Sequence, residues 1–319
     1  LHELGHLIGG YLSGYQFIMF RLFKYVWIQT DEGISRREQV LPSIAGQALM
    51  VPPKNEKNPP FLLYHSGGLI MNLITVILLV SIGGGIQNQS GQYNLYFISL
   101  ASILLMVTNL IPFKGTDGYN ILQSLKQKEK QDEMTNILYM YQDMVHGKSF
   151  EDLQKYIDLD KLQDYKNPNT ISLLSIHAAY YLEKQDFEQA CTIYQTLYAH
   201  EADLFPAHKP DILLNYYFLL MLTDPAHKDA QAIANDKIYK QYKKIKQADY
   251  MRVYAAEALF LNHDLHLARN LISEGKKYIH LTPTVTEEHL ETDLYRYLYD
   301  QLNSIQYGTP STQGTNEQR

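Results

Sequence analysis

The chain begins with three ionisable side chains whose types and spacing could hold and use a metal ion. His2 and His6 are four residues apart, so on a helix both imidazoles project from one face and can bind the same ion. Glu3 lies beside them and can reach water at that ion. Zinc hydrolases use this arrangement: two neutral histidines hold Zn²⁺, the metal lowers the pKa of its water, and the glutamate takes the proton. The pattern predicts a Zn²⁺ site with Glu3 as general base.

The flanks of this pattern are apolar, which favours a metal over solvent as the partner of the histidines. Leu1, Leu4, Leu7 and Ile8 surround the motif, and Glu3 is the only Asp, Glu, Lys or Arg before residue 21. Burying two histidines and a glutamate without a metal or other partners is costly. The alternative interpretation is a surface helix with two solvated histidines.

A zinc site needs a third protein ligand and an open position for water or substrate. The extended pattern HExxHxxGxxH would supply it at position 12, but that residue is Leu12. Asp117 is the strongest candidate, because it follows Pro112 in a segment whose glycines break regular structure. Irregular backbone at membrane depth is tolerated where it lines a wet cavity, as a metal site requires. The alternative is that Asp117 and the glycine after it form a plain turn.

Three apolar segments must position these residues. Residues 61–86 and 93–113 carry no charged side chain, and each is long enough to cross a bilayer. A polar turn at 87–92 separates them. Residues 1–20 resemble the end of a third apolar helix. The segments predict membrane helices, and the alternative is a pair of buried helices in a soluble core.

The polar stretch between the first two apolar segments predicts a small β region beside the membrane. Two β-prone runs, at 24–30 and 37–44, are separated by the turn signal Asp-Glu-Gly. Basic residues occur throughout residues 21–60 and again after residue 113, whereas the 87–92 turn has none. The positive-inside rule then places this region and the C-terminal part in the cytoplasm.

From residue 125 the composition becomes polar and the periodicity helical, which predicts a soluble helical domain over 125–306. Ser149 and Asp152 are spaced as a capping box. Two segments share one spacing of small and large residues that resembles the tetratricopeptide helical hairpin: Ala178, Tyr181, Asp186, Phe187, Ala190 and Tyr194 match Ala256, Leu259, Asp264, Leu265, Ala268 and Ile272. Residues 211–244 could form a third hairpin. Any helical bundle is the alternative, and the tail at 307–319 is predicted to be disordered.

The overall composition excludes some classes of protein. The chain has 319 residues, a net charge of -6 and one cysteine, Cys191, so it has neither a disulfide framework nor the basic character of a general nucleic-acid binder. The mean hydropathy of -0.27 averages an apolar half and a polar half. Because the chain starts at Leu1 rather than Met, we expect a fragment that lacks the start of its catalytic helix and is inactive as it stands.

The order of three motifs resembles the site-2 proteases, a family of intramembrane zinc metalloproteases. The sequence HELGH lies in an apolar helix. The sequence GGLIMN at 67–72 resembles the family's Gly-Pro-x-x-Asn segment, with Leu69 in place of the proline. The sequence NLIPFKGTDG at 109–118 matches the family's Asn-x-x-Pro-x-x-x-x-Asp-Gly segment. The resemblance covers about residues 1–122.

The resemblance implies an active site made of named residues of this chain. His2, His6 and Asp117 would be the zinc ligands, and Glu3 the general base for attack of water on a peptide carbonyl. Asn72 and Asn109 would stabilise the oxyanion or hold the substrate; the alternative for each is a hydrogen bond between membrane helices.

The sequence therefore predicts a mainly α-helical chain: a membrane zinc protease core at 1–124, with several membrane helices and a small β region, followed by a helical repeat-like domain. We expect a multi-pass protein of the cell membrane that contacts the lipid bilayer and cleaves a membrane-anchored protein or peptide. The C-terminal domain could bind a protein partner. Two alternatives stay open: a non-catalytic, membrane-anchored scaffold, and a soluble or peripheral zinc peptidase.

Overall fold

The computed structural model describes residues 1–39, 45–53, 60–113, 116–126, 128–204 and 206–308. The chain divides into two compact units. The first comprises Leu1–Ser35 and Ile44–Asp143, and the second comprises Arg36–Ser43 and Met144–Arg319. Helices predominate and one small antiparallel sheet accompanies them, as the sequence predicts.

The first unit contains most of the chain's β structure and its most apolar helices. In chain order its elements are α1 (His2–Leu12), β1 (Gln16–Leu22), β2 (Tyr25–Thr30), β3 (Gly33–Glu38), β4 (Gly46–Val51), α2 (Phe61–Gly85), α3 (Gln89–Leu110), α4 (Asp117–Lys126) and α5 (Lys128–Val145). The last residues of β3 and α5 belong to the second unit.

The first helix is shorter than the predicted apolar segment at 1–20. Helix α1 ends at Leu12, and Gly14 takes a φ of +78°, a left-handed conformation that glycine adopts without strain. The N–H of Tyr15 then bonds to the carbonyl of Gly10 at 2.9 Å, which closes the turn. The following apolar residues form β1. The prediction was wrong here because an uninterrupted apolar run does not distinguish a helix from a strand.

The four strands form one sheet in the order β3-β2-β1-β4. Strand β1 pairs antiparallel with β2 and with β4, and Leu22 lies opposite both Tyr25 and Gly46. The predicted run at 24–30 is confirmed as β2. The predicted run at 37–44 is only partly matched, because β3 begins earlier, at Gly33; residues 40–44 lie outside the described part of the chain.

Helices α2 and α3 are long and apolar enough to cross a membrane, and they are the two such helices in the described residues. In the most apolar 18-residue stretch of each helix, only 22% of α2 and 11% of α3 is buried. Helix α3 begins at Gln89, with Asn88 as its N-cap, so the predicted turn at 87–92 is mostly helical. A polar turn sequence was misread because asparagine and serine are also the residues that start helices.

The second unit is built from helices. In chain order they are α6 (Phe150–Leu153), α7 (Pro168–Glu183), α8 (Phe187–Ala199), α9 (Lys209–Thr223), α10 (Lys228–Asn235), α11 (Lys237–Tyr242), α12 (Ala248–Ala256), α13 (Leu265–Gly275) and α14 (Val285–Tyr307). The predicted capping box of Ser149 and Asp152 begins α6. Helix α14 ends at Tyr307 with Gly308 as a left-handed cap, and residues 309–319 of the predicted tail lie outside the described residues.

Two helical hairpins repeat the same local design, as the shared spacing predicts. In α7–α8 the turn uses Gln185 at positive φ and Asp186 as N-cap; in α12–α13 it uses His263 and Asp264. The segment at 211–244 adds the hairpin α9–α10, followed by α11. Helix α9 lies in the apolar core of the unit, and nine of its side chains between Ile212 and Met221 are buried there.

Candidate metal centre

Glycines bring the motif helix α1 very close to α2. A Cβ added to Gly5 would collide with the carbonyl oxygen of Gly67, and one added to Gly9 would collide with that of Leu63. Gly5 and Gly9 are four residues apart and therefore lie on one face of α1. This pattern of small residues allows the two backbones to touch, as in close contacts between membrane helices.

Three side chains converge at this helix contact. The Nε2 atom of His2 lies 3.2 Å from that of His6 and 3.0 Å from Oδ2 of Asp117, while Nε2 of His6 lies 3.3 Å from Oδ1 of Asp117. Within the described residues, they form the one group of three or more histidine, cysteine or acidic side chains spaced to hold a metal ion. The residues predicted as ligands are therefore together.

The separations fit a tetrahedral metal site. With metal–ligand distances of about 2.0–2.1 Å, neighbouring ligand atoms of a tetrahedron lie about 3.3 Å apart. Oδ2 of Asp117 is buried and makes no hydrogen bond within the described residues, although it faces His2 Nε2. A cation would satisfy this oxygen. Two imidazoles and a carboxylate suit Zn²⁺, and they also suit other divalent transition metals.

The carbonyl of Tyr64 fixes the tautomer of His6. Nδ1 of His6 lies 2.8 Å from Tyr64 O, and because a carbonyl only accepts, Nδ1 must carry the proton. The lone pair of His6 is then on Nε2, which faces His2 and Asp117. A partner of this kind behind a metal-binding histidine orients the ring and raises its basicity.

Asn72 occupies the equivalent place behind His2. Its side-chain amide lies 3.1 Å from Nδ1 of His2, and the residue is 3% exposed. The oxygen and nitrogen of an amide are interchangeable by rotation, so the Asn72 oxygen can accept a hydrogen bond from Nδ1–H of His2, which leaves the lone pair on Nε2 for a metal. Of the two predicted roles, oxyanion contact and helix–helix bonding, the geometry matches the second, directed at a ligand.

Asn109 is not brought to the cluster. Its amide donates to the carbonyl of Leu105, one turn back in α3, at 3.0 Å. The predicted role of Asn109 at the oxyanion or the substrate stays a prediction. The segment after it nevertheless matters, because it carries the chain to Asp117.

The break after α3 positions Asp117 at the start of α4. The hydroxyl of Thr116 donates to the carbonyls of Ile111 and Phe113 at 2.7 and 2.8 Å, and it accepts from the N–H of Tyr119 at 3.3 Å. Gly118 packs so closely on the end of α3 that a Cβ would collide with the carbonyl of Leu110. A glycine is required after Asp117 for this approach, so the Asp-Gly pair is more than a plain turn.

Glu3 lies beside the cluster, half-buried, with its side chain against the start of β4. A Cβ added to Gly46 would lie 2.9 Å from Oε1 of Glu3. The charge of Glu3 also interacts with those of His2, His6 and Asp117. A carboxylate in this position can take a proton from water at the metal site.

Tyr64 and Gly68 contribute to the site beyond what the sequence predicts, which has Gly68 only as part of the motif at 67–72 and gives Tyr64 no role. Tyr64, Gly68 and Asn72 recur at four-residue intervals and so form one stripe on α2. The tyrosine ring is 5% exposed and its hydroxyl donates to Ala48 O at 2.7 Å, which ties α2 to β4. A stripe of small and polar residues in an apolar helix is the signal that could have found them.

Comparison of the chain with family models, curated proteins and solved structures finds no match.

Proposed function

We propose that this protein is an intramembrane metalloendopeptidase that uses Zn²⁺ to hydrolyse peptide bonds of membrane-anchored proteins or peptides. The observation that carries the proposal is the convergence of Asp117, from α4, with His2, His6 and the neighbouring Glu3 of α1, a helix that packs against the apolar helix α2. The order of the three motifs supports the same conclusion, because it resembles that of the site-2 proteases.

The chemistry follows from the four side chains. When bound, a divalent cation supplies the Lewis acidity that polarises a peptide carbonyl. His2 and His6 would hold it through Nε2 and Asp117 through its carboxylate. Glu3 accepts the proton of the attacking water and gives it to the leaving amine.

The burial pattern of α2 and α3 supports a membrane setting. The buried positions of α2 include Gly68, Asn72 and Thr75, and Ser99 is buried in α3, whereas the large aliphatic residues of both helices are mostly exposed. A soluble protein buries its apolar side chains and exposes its polar ones. Polar inside and apolar outside is the arrangement expected in lipid. The distribution of basic residues would put the second unit in the cytoplasm.

Replacing Glu3 by glutamine tests the proposal, because Gln keeps the shape of Glu but accepts no proton. In the protein expressed from its full reading frame, E3Q is expected to keep its bound metal and lose at least about 100-fold in cleavage of a membrane-anchored substrate. Glu32, exposed in the turn between β2 and β3, gives the matched control E32Q, which should cleave normally. Cleavage by E3Q at the wild-type rate would contradict the assigned role.

The helical hairpins of the second unit favour a second candidate, a membrane-anchored scaffold that binds a protein partner. Stacked hairpins offer extended surfaces for such binding. The two functions are compatible, since the hairpins could recruit a substrate or regulator. The scaffold alone would be the better description if the purified protein bound no divalent metal and cleaved nothing while retaining its partner.

A further inference from the structure

Helix α2 passes the metal-ligand cluster at Gly68, where it has no side chain. A Cβ added at this position would lie 2.5 Å from Nε2 of His6 and 2.6 Å from Nε2 of His2. Both distances are shorter than any ordinary carbon–nitrogen contact. The added carbon would therefore lie in the space that the two metal-binding nitrogens face.

This crowding differs in kind from that at the neighbouring glycine. A Cβ on Gly67 would meet the backbone of α1 at Gly5, which can move only if the two helices separate. A Cβ on Gly68 would meet the ends of two imidazole rings, which can rotate about their side-chain bonds. The fold can therefore accommodate a side chain at residue 68, but the two rings cannot stay where they are.

We infer that Gly68 is the positioning residue that keeps the metal site open: its missing side chain leaves the space between the His2 and His6 nitrogens for the cation. The inference rests on the proposed metal-dependent function. Any larger residue at position 68 excludes the metal, although every ligand is still present.

Rotation of the two rings, which would relieve the clash with a side chain at residue 68, weakens metal binding further. Rotation of the rings away from residue 68 breaks the hydrogen bond of His6 to the Tyr64 carbonyl and that of His2 to Asn72. Those bonds hold both Nε2 lone pairs towards Asp117. The rings thus lose the tautomer and orientation that metal binding needs.

Three alanine substitutions in one helix test this inference: G68A, G67A and G84A. Gly84 has nothing within 4 Å of an added Cβ, so G84A controls for the general effect of alanine in α2. Each detergent-purified protein is stripped with a chelator, and its helix content and thermal midpoint are measured. Zn²⁺ or Co²⁺ is then added, and bound metal is measured by elemental analysis and by the visible absorption of Co²⁺.

We expect G68A to fold like the stripped wild type but to bind metal at least about 100-fold more weakly. Added Zn²⁺ should then raise the thermal midpoint of the wild type and of G84A and leave that of G68A unchanged. G67A is expected to lose the helix contact itself. Wild-type metal affinity in G68A would overturn the inference and leave the proposed function intact. Loss of fold in G68A would also overturn it, because Gly68 would then act in packing. Absence of metal binding by the wild type would instead refute the proposed function.

Discussion

At the scale of single residues, the chemistry depends on which ring nitrogen of each histidine carries a proton. Hydrogen bonds to Nδ1 leave Nε2 of His2 and His6 free to bind a metal, and these bonds come from α2 rather than from the motif helix. The bond to His6 comes from the backbone carbonyl of Tyr64, which substitution cannot remove. The bond to His2 comes from the side chain of Asn72, which substitution can remove.

Replacing Asn72 by leucine should therefore weaken metal binding without removing a ligand. The shapes are similar, but leucine cannot accept a hydrogen bond from Nδ1–H of His2, so N72L is expected to lose about 10- to 100-fold in Zn²⁺ affinity. Competition with a chromophoric chelator measures it. Asn109 supplies the control, since its amide bonds within α3 and N109L should bind Zn²⁺ normally. Equal affinities of the two variants would show that Asn72 does not orient His2.

At the scale of elements, the capping residue sets where a helix begins, and the second helix of each matching hairpin begins with an aspartate N-cap. Asp186 accepts a hydrogen bond from the N–H of Gln189 at 3.1 Å, and Asp264 accepts one from that of Leu267 at 2.8 Å. Each aspartate follows a residue held at positive φ. The hairpins are therefore equivalent in their turns as well as in their packing residues.

Removing either cap should cost a similar amount of stability. D186A and D264A are each expected to reduce the free energy of unfolding by about 1 kcal/mol, because an N-terminal N–H of the helix loses its acceptor. Denaturant unfolding followed by circular dichroism measures the change, and bound metal should be unaffected. E188A, in the first turn of α8, is the control and should change stability less. A cost at one cap and none at the other would contradict the equivalence.

At the scale of the whole molecule, helices α2 and α3 differ from the second unit in the side chains that they expose. Helices α2 and α3 expose apolar side chains, whereas the second unit encloses an apolar core. We expect the protein to stay in the membrane pellet after washing with high salt or alkaline carbonate and to dissolve only in detergent. Release by salt alone would favour a peripheral peptidase. In sealed vesicles, protease added to the cytoplasmic side should digest the second unit.

The second unit also contains a buried group of charges that makes its stability depend on pH. Burial raises the pKa of Asp249 to about 7, and the negative charge of Glu291 adds to this effect, while Arg252 opposes it. Asp211, on α9, adds further negative charge. Arg252 donates to both carboxylate oxygens of Glu291 at 3.1 and 3.0 Å, so the two side chains form an ion pair within the group.

The sign follows from proton binding. Between the ordinary value of 3.8 and about 7, folded Asp249 keeps a proton that the unfolded chain has released, so stability decreases as pH rises through this interval. D249N is expected to reduce this slope and to stabilise the second unit at pH above 7. Unfolding by denaturant at several pH values measures it. Asp293 is exposed and paired with Arg296, so D293N is the control and should keep the wild-type slope.

Part of the slope should remain in D249N. Burial also raises the pKa of Asp211 to about 6 and that of Glu287 to about 7, and both act in the same direction as Asp249. A pH profile of D249N identical to that of the wild type would show that folding does not raise the pKa of Asp249.

The sequence by itself determined the features that depend on neighbouring residues. Four-residue spacing placed His2 and His6 on one helix face, apolar length gave α2 and α3, and turn residues gave the hairpins of the second unit. It misjudged residues 13–20, because an apolar run fits a helix or a strand and only the pairing of β1 with β2 and β4 selects the strand.

Only the tertiary structure decided which residues complete the proposed metal centre. Asp117 was a candidate on sequence, but its contact with both histidines requires α4 to pack beside α1 and α2. The support of His6 by the Tyr64 carbonyl and the open space at Gly68 have no local signature, because a backbone oxygen and an absent side chain acquire a role only when two helices touch. Residue spacing along one helix places the two imidazoles on one face. Packing between helices fixes which imidazole nitrogens carry protons, which way the rings point and whether space is left for an ion.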